Sequence, residues 1–413
     1  MFYINQMIFD MLLKKASNLI CPKAQNTMKT CLFIVSALFF INCSPKQEIQ
    51  EEKKEFIKGV YGNPATLLNA GYRFDSLGMN AVFVRSISLN QDFYKTARAQ
   101  GTKIFVEFPT LNGKEYLKEH PEAWPIDENG EQSPPADWFM GICPTHTGFK
   151  THRSDQLKAI LEEFEVDGIF LDYVHWHAQF ETTEPILPET CFCDRCTSLF
   201  GKEIKKEIPG ESIKQKASWI LKNEDSSWRK WRADILNDWI GDMGKILKQY
   251  QPESKLGVFY CAWYPSDYDS ALYRNLGIDP LALAEKADVL SPMLFHHMKE
   301  RPASWVGEYV TWLGDYVVGG SSFQTWTLPR EESSALPAKA DLDQFEYNTL
   351  IWPIVQAHNS PGTVSPEEFH QVLMEGSKSP ASGIMMFSAE SIAQEPAKIE
   401  VLKKFYRHKN SKD

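Results

Sequence analysis

The sequence has no hydrophobic run long enough to span a bilayer and no excess of positive charge. Its most apolar segment, residues 31–41, covers eleven residues, whereas a transmembrane helix needs about 20. The 413-residue chain carries a formal net charge of -10, and an acidic surface repels nucleic-acid phosphates. Short repeats and low-complexity tracts are also lacking. These absences argue against a membrane-spanning, nucleic-acid-binding or repeat protein and leave an ordinary globular one.

The short apolar segment has the flanks of a targeting signal. A basic start at residues 28–30 precedes it, and it ends at Asn42-Cys43-Ser44-Pro45, before a charged stretch. The pattern is typical of a signal peptide and resembles a bacterial lipoprotein signal. The resemblance implies that Cys43 is lipidated and that the protein is anchored in the cell envelope, on the periplasmic or outer-surface side. An uncleaved anchor or plain secretion is the alternative. We expect residues 1–43 to be an upstream extension plus this signal, and residues 44–55 to be a charged linker.

Strand-like and helical segments alternate through the rest of the chain. Parallel strands need helical crossovers, so this alternation predicts an α/β fold with one closed barrel. We expect a single (β/α)8 TIM barrel over residues 56–405, followed by a tail at 406–413. The eight predicted strands are 57–62, 81–86, 103–109, 168–173, 256–263, 288–295, 350–358 and 383–388.

Two predicted connections are much longer than the others. Residues 110–167 join the third and fourth strands, and residues 175–255 join the fourth and fifth. The loops that follow the strands of such a barrel build its active face. Long insertions there are therefore expected to shape a substrate site centred on the third to fifth strands.

One carboxylate stands out between these two loops. The apolar run from Val166 ends at Asp172 and is followed by His175, Trp176 and His177. A charge is out of place in a buried strand, so Asp172 should lie where the strand opens into a pocket. The alternative is that Asp172 only caps backbone amides at the strand end.

Four motifs occur in an order that resembles a known group of proteins. Residues 138–146, 167–172, 191–196 and 290–296 together look like the TIM-barrel glycoside hydrolases of bacteria. The likeness covers roughly residues 56–405. It implies a barrel that cleaves a carbohydrate substrate.

Glycoside hydrolysis usually needs two carboxylates that flank the scissile bond. Asp172 is the first candidate. Glu107 is expected to be the second, because it ends the neighbouring strand and side chains at matching heights on adjacent strands lie about 5 Å apart. The alternative is that Glu107 pairs with a buried Arg or Lys. Glu390, after the eighth strand, is a further candidate. No carboxylate ends the sixth or seventh strand, which departs from the major glycosidase clans.

Polar and aromatic residues at predicted strand ends are the candidates for substrate binding. Imidazole can hydrogen-bond sugar hydroxyls, and flat aromatic rings stack on the apolar faces of sugars. Each of them could instead be a satisfied structural or core residue. The candidates are His146, Tyr173, His175, Trp176, Trp263, His296, Gln356 and His358, and Trp326 is a further possible stacking platform.

A close group of cysteines follows the fourth strand. Cys191, Cys193 and Cys196 are near enough in sequence to share one tetrahedral ion, with Cys143 or a nearby histidine as the fourth ligand. The rival interpretation is a disulfide plus one spare thiol. Such a zinc would be structural, because an all-thiolate site leaves no open position for water. No cofactor is expected to be required for the chemistry.

The sequence therefore favours a cell-envelope glycoside hydrolase that acts on a poly- or oligosaccharide through an acid and a nucleophile or base. It would be held at the membrane by its lipid alone and would bind no nucleic acid. The alternative is a non-catalytic carbohydrate-binding lipoprotein on the same barrel. A third hypothesis is a metal-dependent hydrolase that uses the histidines at the strand ends.

Overall fold

The computed structural model describes residues 55–136, 138–318 and 349–410. The predicted lipidation site Cys43 and the candidate Trp326 lie outside these ranges. Within them, no helix is both long enough and apolar enough to cross a membrane.

The core is a closed barrel of eight parallel strands, which confirms the predicted fold. Each strand pairs with its neighbours in chain order, and the last strand pairs with the first. The seventh strand consists of two short segments, interrupted at Trp352 and Pro353. The strands are β1 (Ile57–Gly62), β2 (Ala81–Arg85), β3 (Lys103–Pro109), β4 (Gly168–Asp172), β5 (Lys255–Cys261), β6 (Val289–Leu294), β7 (Leu350–Ile351 and Ile354–Gln356) and β8 (Gly383–Phe387).

Helices lie between the strands and after the last one. The helix at residues 366–376 begins as its sequence predicts. Pro366 occupies the first helical position, and the Ser365 hydroxyl accepts a hydrogen bond from the Glu368 amide at 3.1 Å. The helices are α1 (Ala65–Asn69), α2 (Gln91–Ala99), α3 (Tyr116–Glu119), α4 (Thr147–Glu163), α5 (Asp194–Glu203), α6 (Ile213–Asn223), α7 (Asp225–Tyr250), α8 (Ala271–Arg274), α9 (Pro280–Ala284), α10 (Trp305–Val318), α11 (Pro366–Gly376), α12 (Ala389–Ile392) and α13 (Pro396–Asn410), with 3-10 turns at Asp75–Leu77, Ser86–Ser88, Pro121–Ala123 and His297–Lys299.

Aromatic rings fill the inside of the barrel. Phe83 stacks on Phe105 with ring centroids 4.8 Å apart, and Phe170 packs against Phe259 at 5.2 Å. Alternate residues of a strand point to the same side, so the side chain two residues beyond an inward-facing ring also faces inward. Three polar residues stand two positions after such rings: Arg85 after Phe83, Glu107 after Phe105 and Asp172 after Phe170. Their side chains therefore lie at one end of the barrel interior.

A glycine, Gly257, leaves room for the Phe170 ring inside the barrel. A Cβ atom at Gly257 would lie 2.2 Å from the Phe170 ring, whereas one at Gly241, in α7, would meet nothing within 4 Å. We expect Gly257→Ala to lower the free energy of unfolding by about 1–3 kcal/mol, since overpacking forces side chains off their rotamers. Gly241→Ala, the matched control, should raise it by about 0.5–1 kcal/mol. Urea unfolding of both variants measures the difference, and equal stabilities would contradict the packing argument.

The two long connections are tied to each other. The Phe192 amide donates to the Ile126 carbonyl at 2.8 Å, and the Gly141 amide donates to Nδ1 of His177 at 3.1 Å. Nε2 of His177 also lies 2.8 Å from the Pro134 carbonyl oxygen. The loops after β3 and β4 therefore form one platform at the carboxyl end of the barrel.

Candidate functional site

Asp172 lies at the carboxyl end of β4 and is 7% exposed. Its Oδ2 accepts a hydrogen bond from the Tyr61 hydroxyl at 3.1 Å, and its Oδ1 accepts from the Tyr173 amide at 2.8 Å. The alternative that Asp172 only caps backbone amides does not account for the Tyr61 contact across the barrel. Asp172 is therefore held in a fixed position at the mouth of the barrel.

The surroundings of Asp172 favour its protonated form. Burial and the negative charge of Glu181 raise the pKa of this carboxyl to about 7, against the opposing effects of the Tyr173 amide, the Tyr61 hydroxyl and the Arg85 charge. A carboxylic acid that titrates near neutral pH can donate a proton to a leaving group.

Glu107 lies deeper in the barrel than expected. Glu107 pairs in register with Phe170, and it is Pro109 that pairs with Asp172. The prediction that the Glu107 and Asp172 side chains lie at matching positions on adjacent strands is therefore wrong, by a register difference of two residues. Glu107 is 4% exposed, and burial together with the Asp172 charge raises its pKa well above the usual range, against the charges of Arg85 and Arg153. Glu107 is thus a buried neighbour of Asp172 that interacts electrostatically with it.

Glu390 is held in an ion pair at another part of the barrel mouth. Its Oε1 lies 3.0 Å from Nη1 of Arg85. A Cβ at Gly62, where φ is +123°, would lie 2.4 Å from its Oε2, so the glycine leaves room for this carboxylate. Glu390 therefore adjoins the ends of β1 and β2.

Glu181 is a site carboxylate that the sequence analysis did not single out. It lies in the loop after β4 and accepts a hydrogen bond from Nε1 of Trp138 at 2.9 Å. Burial raises the pKa of Glu181, and the Trp138 contact and the Lys299 charge oppose this rise. Glu181 is only partly buried, and its negative charge acts on the Asp172 carboxyl. In the sequence it is one of two similar glutamates in a polar loop, with Glu184, and nothing local distinguishes them.

Aromatic side chains line the cleft around these carboxylates. Tyr173 has a left-handed backbone with φ of 55° and stacks on Phe139 at 4.9 Å with an interplanar angle of 7°. Non-glycine residues in this conformation are strained and concentrate at functional sites. Trp138 is 47% exposed and Tyr268 45% exposed. Tyr173 follows Asp172 and Trp138 donates to Glu181, so these two rings offer flat apolar faces beside the carboxylates, suited to stacking on a sugar. Tyr268 packs on Trp263.

Three of the predicted substrate-binding residues are structural. His146 begins α4, where Nδ1 accepts from the Phe149 amide at 3.0 Å. Trp176 is fully buried, and its Nε1 donates to the Arg232 carbonyl at 3.0 Å. Gln356 is also fully buried, and it bonds the His297 amide and the His358 carbonyl. Gln356 ends β7 and Trp176 follows β4, as predicted, but their side chains turn into the protein. The predicted strand-end position of His146 is wrong, because His146 caps a helix that lies between β3 and β4.

Other predicted residues lie beneath or beside the cleft. Trp263 is 1% exposed and packs under Tyr268 at 4.5 Å. His175 is buried, which lowers its pKa to about 4. His358 packs against Phe387 at 5.4 Å, and His296 contacts Glu368 at 3.1 Å. Several buried polar atoms here lack a hydrogen-bond partner among the described residues, namely Nε1 of Trp263, Nε2 of His175, Nε2 of His358 and Oε2 of Glu390.

The four predicted metal ligands converge in the loop platform. The Sγ atom of Cys143 lies 3.4 Å from that of Cys196 and 3.8 Å from that of Cys193. All four sulfur atoms, including that of Cys191, lie within 4.8 Å of one another. The described cysteines form no disulfide. Tetrahedral zinc with Zn–S bonds of about 2.3 Å needs S···S separations of roughly 3.8 Å, so the cluster fits this ion.

Comparisons with known proteins support the fold. No protein-family profile and no curated sequence match this chain. The glycoside hydrolase domain of PgaB (BpsB) from Bordetella bronchiseptica is similar in structure, with a TM-score of 0.58, 12% identity, and coverage of 85% of this chain and 99% of that one.

Two β-galactosidases have the same kind of barrel. The enzyme from the psychrophilic Marinomonas ef1 aligns with a TM-score of 0.57 at 11% identity over 85% of this chain. The enzyme from Bacillus circulans sp. alkalophilus aligns with a TM-score of 0.55 at 13% identity over 86% of it. The alignments span only 59% and 56% of those longer chains. The chain thus shares its barrel with glycoside hydrolases at a low level of sequence identity.

Proposed function

We propose that this protein is a glycoside hydrolase in which Asp172 is the general acid. The observation that carries the proposal is a fixed, buried carboxyl at the barrel mouth, with a second carboxylate and exposed aromatic rings beside it. Its pKa of about 7 suits proton donation. Barrel neighbours that cleave glycosidic bonds support the same reaction class.

The partner carboxylate in this proposal is Glu181. Asp172 protonates the glycosidic oxygen, and Glu181 acts on the anomeric carbon as a nucleophile or as the base for a water molecule. Glu181 is preferred over Glu107 because it is partly open to the cleft, whereas Glu107 is enclosed below Asp172. Glu107, whose own pKa is raised well above the usual range, would stay protonated beside Asp172 and take no direct part in the reaction. Glu390, paired with Arg85, would bind the substrate rather than react with it.

The substrate in this proposal is a poly- or oligosaccharide of the cell envelope. The lipid on Cys43 would place the barrel at the membrane surface, where such polymers are found. Membrane fractionation of a Cys43→Ser variant beside the wild type tests the anchor. A variant that still sediments with membranes would contradict it.

The function is tested by incubating the purified full chain with a panel of polysaccharides and measuring both binding and the release of reducing ends. We expect at least one polymer to be bound and cleaved. The rival function, a non-catalytic carbohydrate-binding protein, predicts binding without any release of reducing ends.

Glu181 should influence the titration of Asp172. Replacing Glu181 by glutamine removes a neighbouring negative charge, so we expect the pKa of Asp172 to fall. Titration of the carboxyl carbon of Asp172 by NMR measures this shift independently of activity. Glu184→Gln is the matched control, since Glu184 is exposed in the same loop. A pKa that stays the same in the Glu181 variant would place this charge too far from Asp172 to be its partner.

We further propose that the four-cysteine cluster binds a structural zinc ion. Cys143, Cys191, Cys193 and Cys196 would be its ligands. The ion would join the loop after β3 to the loop after β4, and these loops carry Trp138 and Glu181. The barrel chemistry itself would require no cofactor.

A further inference from the structure

A second group of metal-binding side chains lies at the same end of the barrel. His296 and His297 follow β6, and His297 begins a 3-10 turn. Glu368 lies in the first turn of α11, the helix that follows β7. Two adjacent strand–helix units therefore bring two imidazoles and one carboxylate together.

The donor atoms of these residues are spaced for one ion. Nε2 of His296 lies 3.1 Å from Oε1 of Glu368, and Nε2 of His297 lies 3.2 Å from the same oxygen. One donor atom from each residue lies within 4.8 Å of the others. Tetrahedral zinc with bonds of about 2.0–2.1 Å to nitrogen and oxygen needs donors roughly 3.3 Å apart, which is close to these distances.

The surrounding backbone holds the three side chains in place. The His297 amide donates to Oε1 of Gln356 at 3.1 Å. Gly362, with φ of +74°, lets its loop approach the His297 ring, because a Cβ there would lie 2.8 Å from Nδ1. The Glu368 amide is capped by the Ser365 hydroxyl. The donor set is therefore prearranged by contacts that involve no ion.

The group is open to solvent on one side. His296 is 1% exposed at its side chain, whereas His297 and Glu368 are each 30% exposed. An ion can therefore enter, and three protein ligands leave a fourth position for a water molecule or a ligand oxygen.

Phe295, next to His296, packs on Phe387 at 5.6 Å, and Phe387 packs on Tyr61 at 5.0 Å. Because Tyr61 binds Asp172, these two ring contacts connect the segment that carries His296 with the proposed catalytic carboxyl.

We propose that His296, His297 and Glu368 form a binding site for a divalent transition-metal ion, with zinc as its best match. Two neutral imidazoles and one carboxylate are a donor set that zinc and its neighbours in the first transition series favour over magnesium or calcium. The competing explanation is a cluster in which both imidazoles donate hydrogen bonds to Glu368. The site is independent of the proposed glycosidase activity and of the four-cysteine cluster.

Cobalt is the probe for this site, because its visible absorption reports its ligands. The full chain, free of histidine tags and with its thiol cluster loaded with zinc, is titrated with Co²⁺. We expect one equivalent to bind with weak visible bands and without the intense thiolate-to-metal absorption of a cysteine site. An unchanged visible spectrum in the folded wild type would overturn the proposal without recourse to any variant.

Variants then locate the ion. Glu368→Gln and His297→Gln should each weaken Co²⁺ binding by more than about tenfold, since even the loss of an outer-shell partner costs 10–100-fold. His370→Gln is the matched control, because His370 is exposed on the same helix. Binding equal to that of the wild type in both site variants would overturn the assignment. Circular dichroism confirms that each variant is folded.

Discussion

Replacing Asp172 by asparagine is expected to lower the turnover of the cleaved polysaccharide by about 10²–10⁴-fold, the usual contribution of a general acid. Asparagine keeps the size of the side chain. Its Oδ1 can still accept from the Tyr173 amide, and its Nδ2 can donate to the Tyr61 hydroxyl oxygen, but it has no carboxyl proton to give. Initial rates of reducing-end release by wild type and variant measure the effect. Polysaccharide binding should change little, since the aromatic platforms remain. Turnover within a few-fold of the wild type would refute the catalytic role.

The pH dependence of the stability of the same variant gives a test that is independent of activity. The pKa of Asp172 is about 7 in the folded protein and about 3.9 in an unfolded chain. Between these values the folded state holds a proton that the unfolded state has released, so the free energy of unfolding of the wild type falls as pH rises. Because asparagine cannot ionise, the free energy of unfolding of Asp172→Asn should not show this decrease with pH.

We therefore expect Asp172→Asn to match the wild type in stability at pH 4 and to exceed it at pH 8. The difference should be on the order of a few kcal/mol, since one pKa unit corresponds to about 1.4 kcal/mol. Urea unfolding at the two pH values measures it. A variant that is less stable than the wild type at pH 8 would mean that the Asp172 carboxylate is not destabilised by its burial.

Loss of the zinc proposed at the cysteine cluster is the second large effect. Cys196→Ser replaces one of four thiolates, so we expect the chain to lose one equivalent of zinc. The free energy of unfolding should fall by about 3 kcal/mol or more, since structural zinc contributes directly to folding. The two loops held by the ion should become sensitive to proteases. Activity should also fall, because these loops position Trp138 and Glu181.

Cys261→Ser is the matched control, since Cys261 is a buried free thiol outside the cluster. It should keep the full metal content measured by elemental analysis of protein purified without chelators. If the wild type contains no zinc and a disulfide is mapped among the cluster cysteines, the covalent alternative is correct. Equal zinc in wild type and Cys196→Ser would show that these sulfurs are not the ligands.

The barrel could be predicted from the sequence because its strands are buried on both faces. Each then appears as a short apolar run, and the run that ends in Asp172 also revealed the site. The thiol cluster was predictable because Cys191, Cys193 and Cys196 are close in sequence. What fills the barrel was not predicted, since the pairing of Gly257 with the Phe170 ring is set by strands that are distant in sequence.

The errors in the predicted site have the same origin. Strand register is a tertiary property, so the sequence could not show that Glu107 pairs with Phe170, two residues before Asp172. Trp176 follows β4 as a site residue would, but the loop conformation turns its side chain into the core. His146 caps α4 and does not follow a strand. Glu181 was missed because only the folded loop brings it to Asp172.

The central claim is that Asp172 donates the proton to the glycosidic oxygen, and a crystal structure of the Asp172→Asn variant with the oligosaccharide that the wild type cleaves tests it most directly. The account predicts that the scissile oxygen lies within about 2.6–3.2 Å of the side chain at position 172, with Glu181 beside the anomeric carbon and a sugar ring stacked on Trp138 or Tyr268. An oligosaccharide whose scissile linkage contacts neither position 172 nor Glu181 would contradict it.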